Sequence, residues 1–254
     1  MRDFAPTVCR DNFFEDPHKI IELSKQINFK PTKYISGYRS DYLDEINLDL
    51  YKYINTRILS VFYPTASNIQ FSAKTYFQKS EPDTCDGWVH KDSETLTAII
   101  YLTLGGTSGT SLFNVKKEFL MPDWDIGTGG KHDYFKNKDK YSEKDKEIIL
   151  EKKLNHNKYF EKTISFKGVF NRMICFDSKQ YHAAEVCDKE RLIIISFIDN
   201  LKQIDIKWFM AYLNANIPVE YAQIRREYLY DLKKHHGEVE DCIIFGVSCI
   251  TGRA

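Results

Sequence analysis

Three nearly uninterrupted apolar runs, at residues 96–104, 172–176 and 192–198, constrain the fold more than any other feature of the sequence. Each run is rich in branched or aromatic side chains and is short enough to be a strand rather than a helix. Strands that are apolar on both faces must be covered on both sides. The sequence therefore predicts a buried β core with other elements packed around it.

Helical patterns flank this β region. Asp16-Pro17 suits the N-cap and first turn of a helix, and apolar residues follow it at helical spacing. A second apolar stripe with helical period runs from about Asp41 to Leu59. Residues 36–40 are predicted to form the loop between these two helices. Two further helices are predicted at residues 204–215 and 218–234.

Residues 116–161 interrupt the strand pattern and are interpreted as an insertion. The segment begins with a loop that contains Trp124 and becomes a charged helix from about Ser142 to Phe160. Ser142 and Asp145 have the spacing of an N-terminal capping arrangement. Positive and negative charges alternate along this helix, which favours a solvated surface over a nucleic-acid interface.

The composition excludes several classes of protein. The 36 lysines and arginines match 36 aspartates and glutamates, so a polyanionic partner such as a nucleic acid is not expected. No uncharged apolar run is long enough to cross a bilayer, and the N-terminus lacks a secretory signal pattern. The six cysteines form no CxxC pair and are expected to be reduced, mostly buried thiols. A cytoplasmic protein without a membrane segment is predicted.

The predicted fold class is mainly β with helical flanks (α+β), in one domain over residues 1–254. Residues 1–62 form the helical N-terminal flank, and residues 63–200 form the β core with the insertion at 116–161. Residues 201–254 form the helical C-terminal flank. No internal repeat or low-complexity tract suggests a different division.

His90-Lys91-Asp92 and the distant His182 are the candidate metal ligands. Residues two apart in an extended chain point to the same side, so His90 and Asp92 can share one ion, and His182 can reach it from another strand. Two imidazoles and one carboxylate hold Fe(II) on one face and leave three positions open. The remaining single positive charge favours an anionic chelator such as a 2-oxo acid.

Arg191 is the candidate for recognising the far carboxylate of such a co-substrate. It begins an otherwise apolar strand, where a buried charge requires a partner. Its planar guanidinium matches a carboxylate with two hydrogen bonds. Tyr101 could add a hydroxyl to the same carboxylate, and Tyr76 is a second tyrosine candidate.

Each of these residues also has an ordinary explanation. A His-x-Asp tripeptide occurs often by chance, and a single histidine such as His182 is more often a loop residue than a ligand. Arg191 alone would be a charge at a strand end, and Tyr101 alone a core residue. Arg172 is expected to form a structural salt bridge. The order and the β context together favour the iron site.

Three segments also follow the motif order of one enzyme family. They are His90-Lys91-Asp92 with residues 97–103, the glycine-led residues 109–113, and residues 171–178 followed by His182 and Arg191. On these segments, residues 76–198 resemble the double-stranded β-helix (jelly-roll, cupin-like) core of the Fe(II)/2-oxoglutarate-dependent oxygenases. Within that superfamily they resemble the prolyl-hydroxylase-like branch.

The resemblance implies an enzyme that uses Fe(II), 2-oxoglutarate and O2 to hydroxylate a C–H bond and releases succinate and CO2. It implies iron at His90, Asp92 and His182, and the 2-oxoglutarate C5 carboxylate at Arg191, assisted by Tyr101. Asp92 favours hydroxylation over halogenation, because halogenases leave that position to a halide. The expected substrate is an amino acid, a peptide or another small molecule.

Two alternatives stay open from the sequence. One is a cupin-like module that binds a metal without catalysis, and the other is an interaction domain that keeps the fold alone. A separate hypothesis concerns the insertion at residues 116–161. Because it separates two core strands, it could act as a lid that selects the substrate.

Overall fold

The computed structural model describes residues 5–32, 37–62, 69–82, 87–116, 137, 140–187 and 189–203. The chain forms two compact units. One contains Met1–Leu48 and Lys74–Phe197, and the other contains Asp49–Ala73 and Ile198–Ala254. The division into one domain with two helical flanks stays a prediction. The predicted helices at residues 204–215 and 218–234, and the loop around Trp124, lie outside the described residues.

Four helices have both ends within the described residues, and the first and last of these begin as predicted. The Asp16 side chain accepts a hydrogen bond from the Lys19 N–H, which caps α1. Ser142 and Asp145 form a reciprocal capping box at the start of α4. The helices are α1 Pro17–Lys25, α2 Leu43–Ile46, α3 Leu48–Phe62 and α4 Glu143–Asn157.

The predicted helix at residues 41–59 is wrong in one respect, because the chain leaves helical conformation at Asn47. This residue has φ −158° and ψ 83°, and it separates α2 from α3. The apolar stripe continues through the break at nearly helical spacing. Asparagine competes with helical hydrogen bonding through its own side chain, which makes it a suitable residue for a break.

The described residues form ten strands. They are β1 Val8–Arg10, β2 Phe29–Pro31, β3 Gly37–Ser40, β4 Ile69–Ser80, β5 Leu96–Tyr101, β6 Thr107–Val115, β7 Phe160–Gly168, β8 Arg172–Asp177, β9 Tyr181–Ala184 and β10 Arg191–Gln203. The three apolar runs of the sequence correspond to β5, β8 and β10. The expected loop at residues 36–40 is wrong, because β3 occupies most of it and pairs with β2.

The strands form two antiparallel sheets. The larger sheet has the order β1-β8-β5-β10-β4-β3-β2, and the smaller has the order β7-β6-β9. In the larger sheet β5 pairs with β8 from Leu96↔Asp177 to Tyr101↔Arg172. In the smaller sheet β6 pairs with β9, which places Leu112 opposite His182. A mainly β fold with helices is confirmed, and the double-stranded β-helix arrangement stays a prediction.

Strands of both sheets contribute to one hydrophobic cluster. Every residue of β5 is buried, as expected for a strand that is apolar on both faces. Leu112 of the smaller sheet joins side chains of the larger sheet in this cluster. Its buried members are Tyr76, Ile99, Tyr101, Leu112, Ile174, Phe176, Ile193 and Ile195.

Asn171 joins the N-terminal segment to the start of β8. Its side chain accepts a hydrogen bond from the Phe14 N–H at 2.8 Å and donates one to the Phe14 carbonyl at 2.9 Å. Its backbone has a positive φ of 60°, which asparagine adopts more readily than most residues. One asparagine before a strand carries no distinctive pattern, so this role of Asn171 could not be predicted from the sequence.

The Asn171→Ala substitution is expected to lower the free energy of unfolding by about 3 kcal/mol. It removes two hydrogen bonds to the buried Phe14 backbone and places alanine at a positive φ. Denaturant or thermal unfolding measures the loss. The control is Asn155→Ala, at an exposed position of α4, which is expected to change stability by less than about 0.5 kcal/mol. Equal stability of the two variants would contradict this account of Asn171.

Two expectations from composition can be compared with the structure. Cys9, Cys175 and Cys187 are free thiols, of which Cys9 is exposed and the others are buried. The other three cysteines lie outside the described residues. Among the described residues, no helix is both long and apolar enough to cross a lipid bilayer.

Candidate metal centre

The structure brings the three predicted metal ligands together. One ligand atom from each of His90, Asp92 and His182 lies within 4.8 Å of the other two. The distance from Asp92 Oδ2 to His182 Nε2 is 3.2 Å, and that from Asp92 Oδ1 to His90 Nε2 is 3.7 Å. His182 is buried, whereas His90 and Asp92 are partly exposed. Residues from two distant parts of the sequence thus share one side of the core.

Backbone hydrogen bonds fix the register of these residues. The His90 N–H donates to the His182 carbonyl at 3.0 Å, and the His182 N–H donates to the His90 carbonyl at 2.9 Å. The two residues therefore form a reciprocal antiparallel bridge. The Asp92 N–H donates to the Ser178 carbonyl at 2.9 Å. His182 lies on β9, so it approaches His90 and Asp92 from a different strand, as the sequence analysis expected.

Both imidazole rings are oriented through their Nδ1 atoms. His90 Nδ1 lies 2.7 Å from the Trp88 carbonyl oxygen, and His182 Nδ1 lies 2.9 Å from the Gln180 carbonyl oxygen. A carbonyl oxygen can only accept a hydrogen bond, so each Nδ1 carries a proton. In the neutral rings each Nε2 then presents a lone pair, and both Nε2 atoms lie near the Asp92 carboxylate.

This arrangement of acceptors fits a bound metal ion. Two Nε2 lone pairs and a carboxylate repel one another unless a positive charge lies between them. A single proton can relieve one of these contacts, whereas one metal ion can accept electron pairs from all three groups. Two nitrogen donors and one carboxylate, with the remaining positions open, form the three-residue set used by non-haem Fe(II) oxygenases.

The carboxylate of Asp92 is held by the hydroxyl group of Thr97, which Ser178 supports in turn, and neither role was foreseen from the sequence. Thr97 Oγ1 donates to Asp92 Oδ2 at 2.9 Å, and Thr97 and Ser178 share a hydrogen bond of 2.8 Å. Both hydroxyl residues are fully buried. A polar threonine inside the otherwise apolar β5 was the available signal, since buried hydroxyl groups require hydrogen-bond partners.

Arg191 is a buried cation at the start of β10. Only 7% of its surface is exposed. Its Nη1 donates to the Gly109 carbonyl at 3.3 Å, and its Nε has no hydrogen-bond partner among the described residues. An incompletely paired guanidinium in the protein interior calls for an anionic acceptor. A carboxylate fits this requirement because it can accept two parallel hydrogen bonds.

Tyr101 borders the same guanidinium. Its hydroxyl donates a hydrogen bond to Thr110 Oγ1 at 2.8 Å. Thr110 is the residue after Gly109, whose carbonyl accepts the hydrogen bond from Arg191. Burial raises the pKa of Tyr101 to about 12, and the Thr110 hydrogen bond and the Arg191 charge oppose this rise. The phenol is therefore neutral at ordinary pH and available as a hydrogen-bonding group. The structure places Tyr101 and Arg191 in one buried polar cluster.

Gly109 is required at this cluster by a close approach of two strands. A Cβ atom at this position would lie 1.5 Å from the Phe166 carbonyl oxygen. Because Gly109 has no Cβ atom, β6 can approach β7 closely enough for the Gly109 carbonyl to point at Arg191. The same carbonyl also accepts the Glu185 N–H at 3.1 Å. The glycine-led strand of the sequence thus has a geometric role beside the predicted carboxylate site.

Tyr76 lies on a different side of the site from Tyr101. It is buried in the shared cluster, and its hydroxyl has no hydrogen-bond partner among the described residues. Burial raises the pKa of Tyr76 above its usual value; the Arg39 charge opposes this rise and the Asp92 carboxylate adds to it. The Arg39 guanidinium lies 4.7 Å from the ring centre. Tyr76 therefore neighbours the metal ligand Asp92, whereas Tyr101 neighbours Arg191.

Several residues that were not predicted to bind the metal or the co-substrate have structural roles or lie outside the described residues. Arg172 forms the expected salt bridge, with its Nη2 donating to Asp11 Oδ2 at 2.8 Å. The Trp88 carbonyl orients His90, and the Trp88 ring lies 6.2 Å from the ring of His156. The other insertion histidine, His132, is not among the described residues.

Several solved structures are similar to this chain. A prolyl hydroxylase from Trichoplax adhaerens, in complex with a hypoxia inducible factor peptide, is 12% identical with a TM-score of 0.46, covering 77% of this chain and 84% of that one. HygX from Streptomyces hygroscopicus, bound to nickel, 2-oxoglutarate and hygromycin B, is 8% identical with a TM-score of 0.46 and coverages of 76% and 82%.

A third similar structure is an oxidoreductase of the 2OG-Fe(II) oxygenase family from Burkholderia pseudomallei. It is 11% identical with a TM-score of 0.45, and the match covers 76% of this chain and 84% of that one. Identities and TM-scores this low establish neither a shared activity nor a shared substrate. No curated protein matches the sequence.

A family model matches most of the chain. The match extends over residues 2–193, so it includes all three candidate ligands and Arg191. The family carries no functional description. The chain belongs to this family, the family of unknown function DUF6445.

Proposed function

We propose that this protein is an Fe(II)- and 2-oxoglutarate-dependent oxygenase that hydroxylates a C–H bond and has a double-stranded β-helix core. The observation that carries the proposal is the convergence of His90, Asp92 and His182, whose facing acceptor atoms can all bind one cation. The buried Arg191, whose Nε has no hydrogen-bond partner among the described residues, supports an anionic co-substrate beside that cation.

The chain would hold iron through His90 Nε2, His182 Nε2 and the Asp92 carboxylate. The backbone carbonyls of Trp88 and Gln180 keep each ring in the tautomer that leaves Nε2 unprotonated. Thr97 keeps the Asp92 carboxylate turned toward the two rings. When bound, ferrous iron with 2-oxoglutarate and O2 supplies the oxidising chemistry, and succinate and CO2 are the co-products.

Arg191, Tyr101 and Thr110 would bind the distal carboxylate of 2-oxoglutarate. Arg191 supplies the charge and the planar donors. The Tyr101 hydroxyl donates a hydrogen bond to Thr110 Oγ1, so the Thr110 hydroxyl can in turn donate a hydrogen bond to the co-substrate. The Tyr76 hydroxyl, which also lacks a partner among the described residues, can donate nearer the metal. Two neutral imidazoles and one carboxylate leave one positive charge on the centre, which favours an anionic chelator.

Hydroxylation is the proposed outcome because Asp92 occupies the ligand position that halogenases leave to a halide. The proposed branch is the prolyl-hydroxylase-like one, and the proposed substrate is an amino acid, a peptide or another small molecule. A cytoplasmic location is also proposed, since the balanced charge and the free thiols suit a reducing compartment.

An O2-uptake assay combined with metal analysis tests the proposed activity. Purified protein reconstituted with Fe(II) is expected to bind one iron and to consume O2 and release succinate only when 2-oxoglutarate is supplied. Addition of amino acids and short peptides is expected to stimulate succinate release for the class that contains the substrate. A metal-binding module would bind iron without consuming 2-oxoglutarate, and an interaction domain would do neither. Either result would overturn the proposal.

A further inference from the structure

The C-terminal end of α4 holds the backbone that leads into His90. Asn157 Oδ1 accepts a hydrogen bond from the Val89 N–H at 3.1 Å, and Asn157 Nδ2 donates one to the Gly87 carbonyl at 3.1 Å. His156 Nε2 lies 2.8 Å from the Val89 carbonyl oxygen, so it donates a third hydrogen bond. Two consecutive side chains thus replace the backbone groups that a neighbouring strand would supply.

These contacts lie on the edge of the segment opposite to the metal-ligand bridge. In an extended chain, consecutive residues present their backbone N–H and C=O groups to opposite edges. Val89 presents both groups to Asn157 and His156, and His90 presents both groups to His182. The segment is therefore held from both sides at the residue before the ligand and at the ligand itself.

The position of α4 on this segment is reinforced by packing. The His156 ring lies 6.2 Å from the ring of Trp88 and 5.2 Å from that of Phe160. Burial lowers the pKa of His156, which keeps its ring neutral. Gly87 lies so close to β9 that an added Cβ would be 2.9 Å from the Ala184 carbonyl oxygen. The extended segment that carries His90 is thus confined between β9 and the end of α4.

We propose that Asn157 and His156 are positioning residues of the metal centre, which fix Val89 so that His90 is presented to His182 and to the ion. The inference rests on the proposed function only in treating His90 as a ligand. It assigns the end of the insertion a part in assembling the centre. The hypothesis that residues 116–161 act as a lid stays a prediction, and residues 117–136 of that insertion lie outside the described residues.

The test compares Asn157→Ala with Asn155→Ala. Asn155 has the same side chain on the same helix, but it is exposed and accepts a hydrogen bond from the Lys158 ammonium. Two quantities are measured below the unfolding temperature of each protein. One is hydrogen exchange of the His90 amide in metal-free protein, followed by NMR. The other is the Kd for Co(II), obtained from its visible absorption in the site.

The Asn157→Ala variant is expected to exchange the His90 amide proton faster. It is also expected to bind Co(II) about tenfold more weakly, which is a typical loss of affinity when a group that orients a metal ligand is removed. Its Co(II) absorption is expected to change in shape, since the His90 ring is less fixed. Asn155→Ala is expected to match the natural protein. If Asn157→Ala does not fold, His156→Ala provides the same comparison through the third hydrogen bond.

Unchanged His90 exchange and unchanged Co(II) binding in Asn157→Ala would overturn the inference. The failure of the proposed function gives a different result. If the natural protein itself binds no Co(II), the metal centre is wrong, but the His90 exchange rate still decides whether α4 positions this residue.

Discussion

Replacing His182 by alanine is expected to reduce 2-oxoglutarate turnover to background and to release the metal. The variant loses one of three ligand atoms, and the loss of affinity should exceed the roughly 100-fold loss seen when an outer partner of a ligand is removed. The fold should persist, because the bridge to His90 uses backbone atoms that alanine retains. Iron content after gel filtration and succinate release measure the two effects.

The same loss of turnover is expected for His90→Ala and Asp92→Ala. The control is His18→Ala, which removes an exposed histidine from α1 and should leave iron content and turnover unchanged. Far-UV circular dichroism of each variant checks that the sheets are retained. Undiminished succinate release by a folded His182→Ala protein would remove the basis of the oxygenase assignment.

Replacing Arg191 by alanine is expected to weaken 2-oxoglutarate binding by about 100-fold while leaving metal affinity unchanged. The guanidinium is buried, and truncating one partner of a buried charge pair costs roughly 2–5 kcal/mol. Among the described residues the Arg191 side chain donates to the Gly109 carbonyl and not to any of the three ligands, so the ligands lose no contact in the variant. Calorimetric titration of the Ni(II)-loaded protein with 2-oxoglutarate measures the change without turnover.

Arg172→Ala is the matched control for this experiment. Arg172 also begins a strand, but it binds the exposed carboxylate of Asp11 and should not affect co-substrate affinity. Binding of 2-oxoglutarate to Arg191→Ala with the natural affinity would show that the co-substrate carboxylate is recognised elsewhere. That result would leave the proposed metal centre unaffected, because its three side chains form no hydrogen bond with Arg191 among the described residues.

Much of the fold could be predicted because a few local patterns carry strong physical constraints. The strand β5 is buried along its whole length, and its run of apolar residues shows this directly. The capping box of Ser142 and Asp145 marked the start of α4. The short strands β1, β2 and β3 were missed because each has only three or four residues, too few to show alternation. Long-range pairing forms these strands, and the local sequence does not encode it.

The residues of the candidate site could be predicted from the sequence, but the contacts that hold them in place could not. The sequence shows a carboxylate two residues after a histidine, followed in later strands by a second histidine and an arginine. This pattern is enough to predict a metal site with a neighbouring carboxylate site. The reciprocal pairing of His90 with His182 depends on sheet register, and the contact of Asn157 with Val89 joins residues that are distant in the chain. A single sequence has no pattern that reports such contacts.

The reciprocal bridge between His90 and His182 also determines when the ligands are ordered. Their approach is fixed by backbone hydrogen bonds during folding, so the conformational entropy of assembling the two imidazoles is lost before any ion arrives. Small zinc domains differ, since their ligands converge only on binding and their chains unfold without metal. This chain is therefore expected to keep both sheets when a chelator strips the ion, and to accept a replacement ion without refolding.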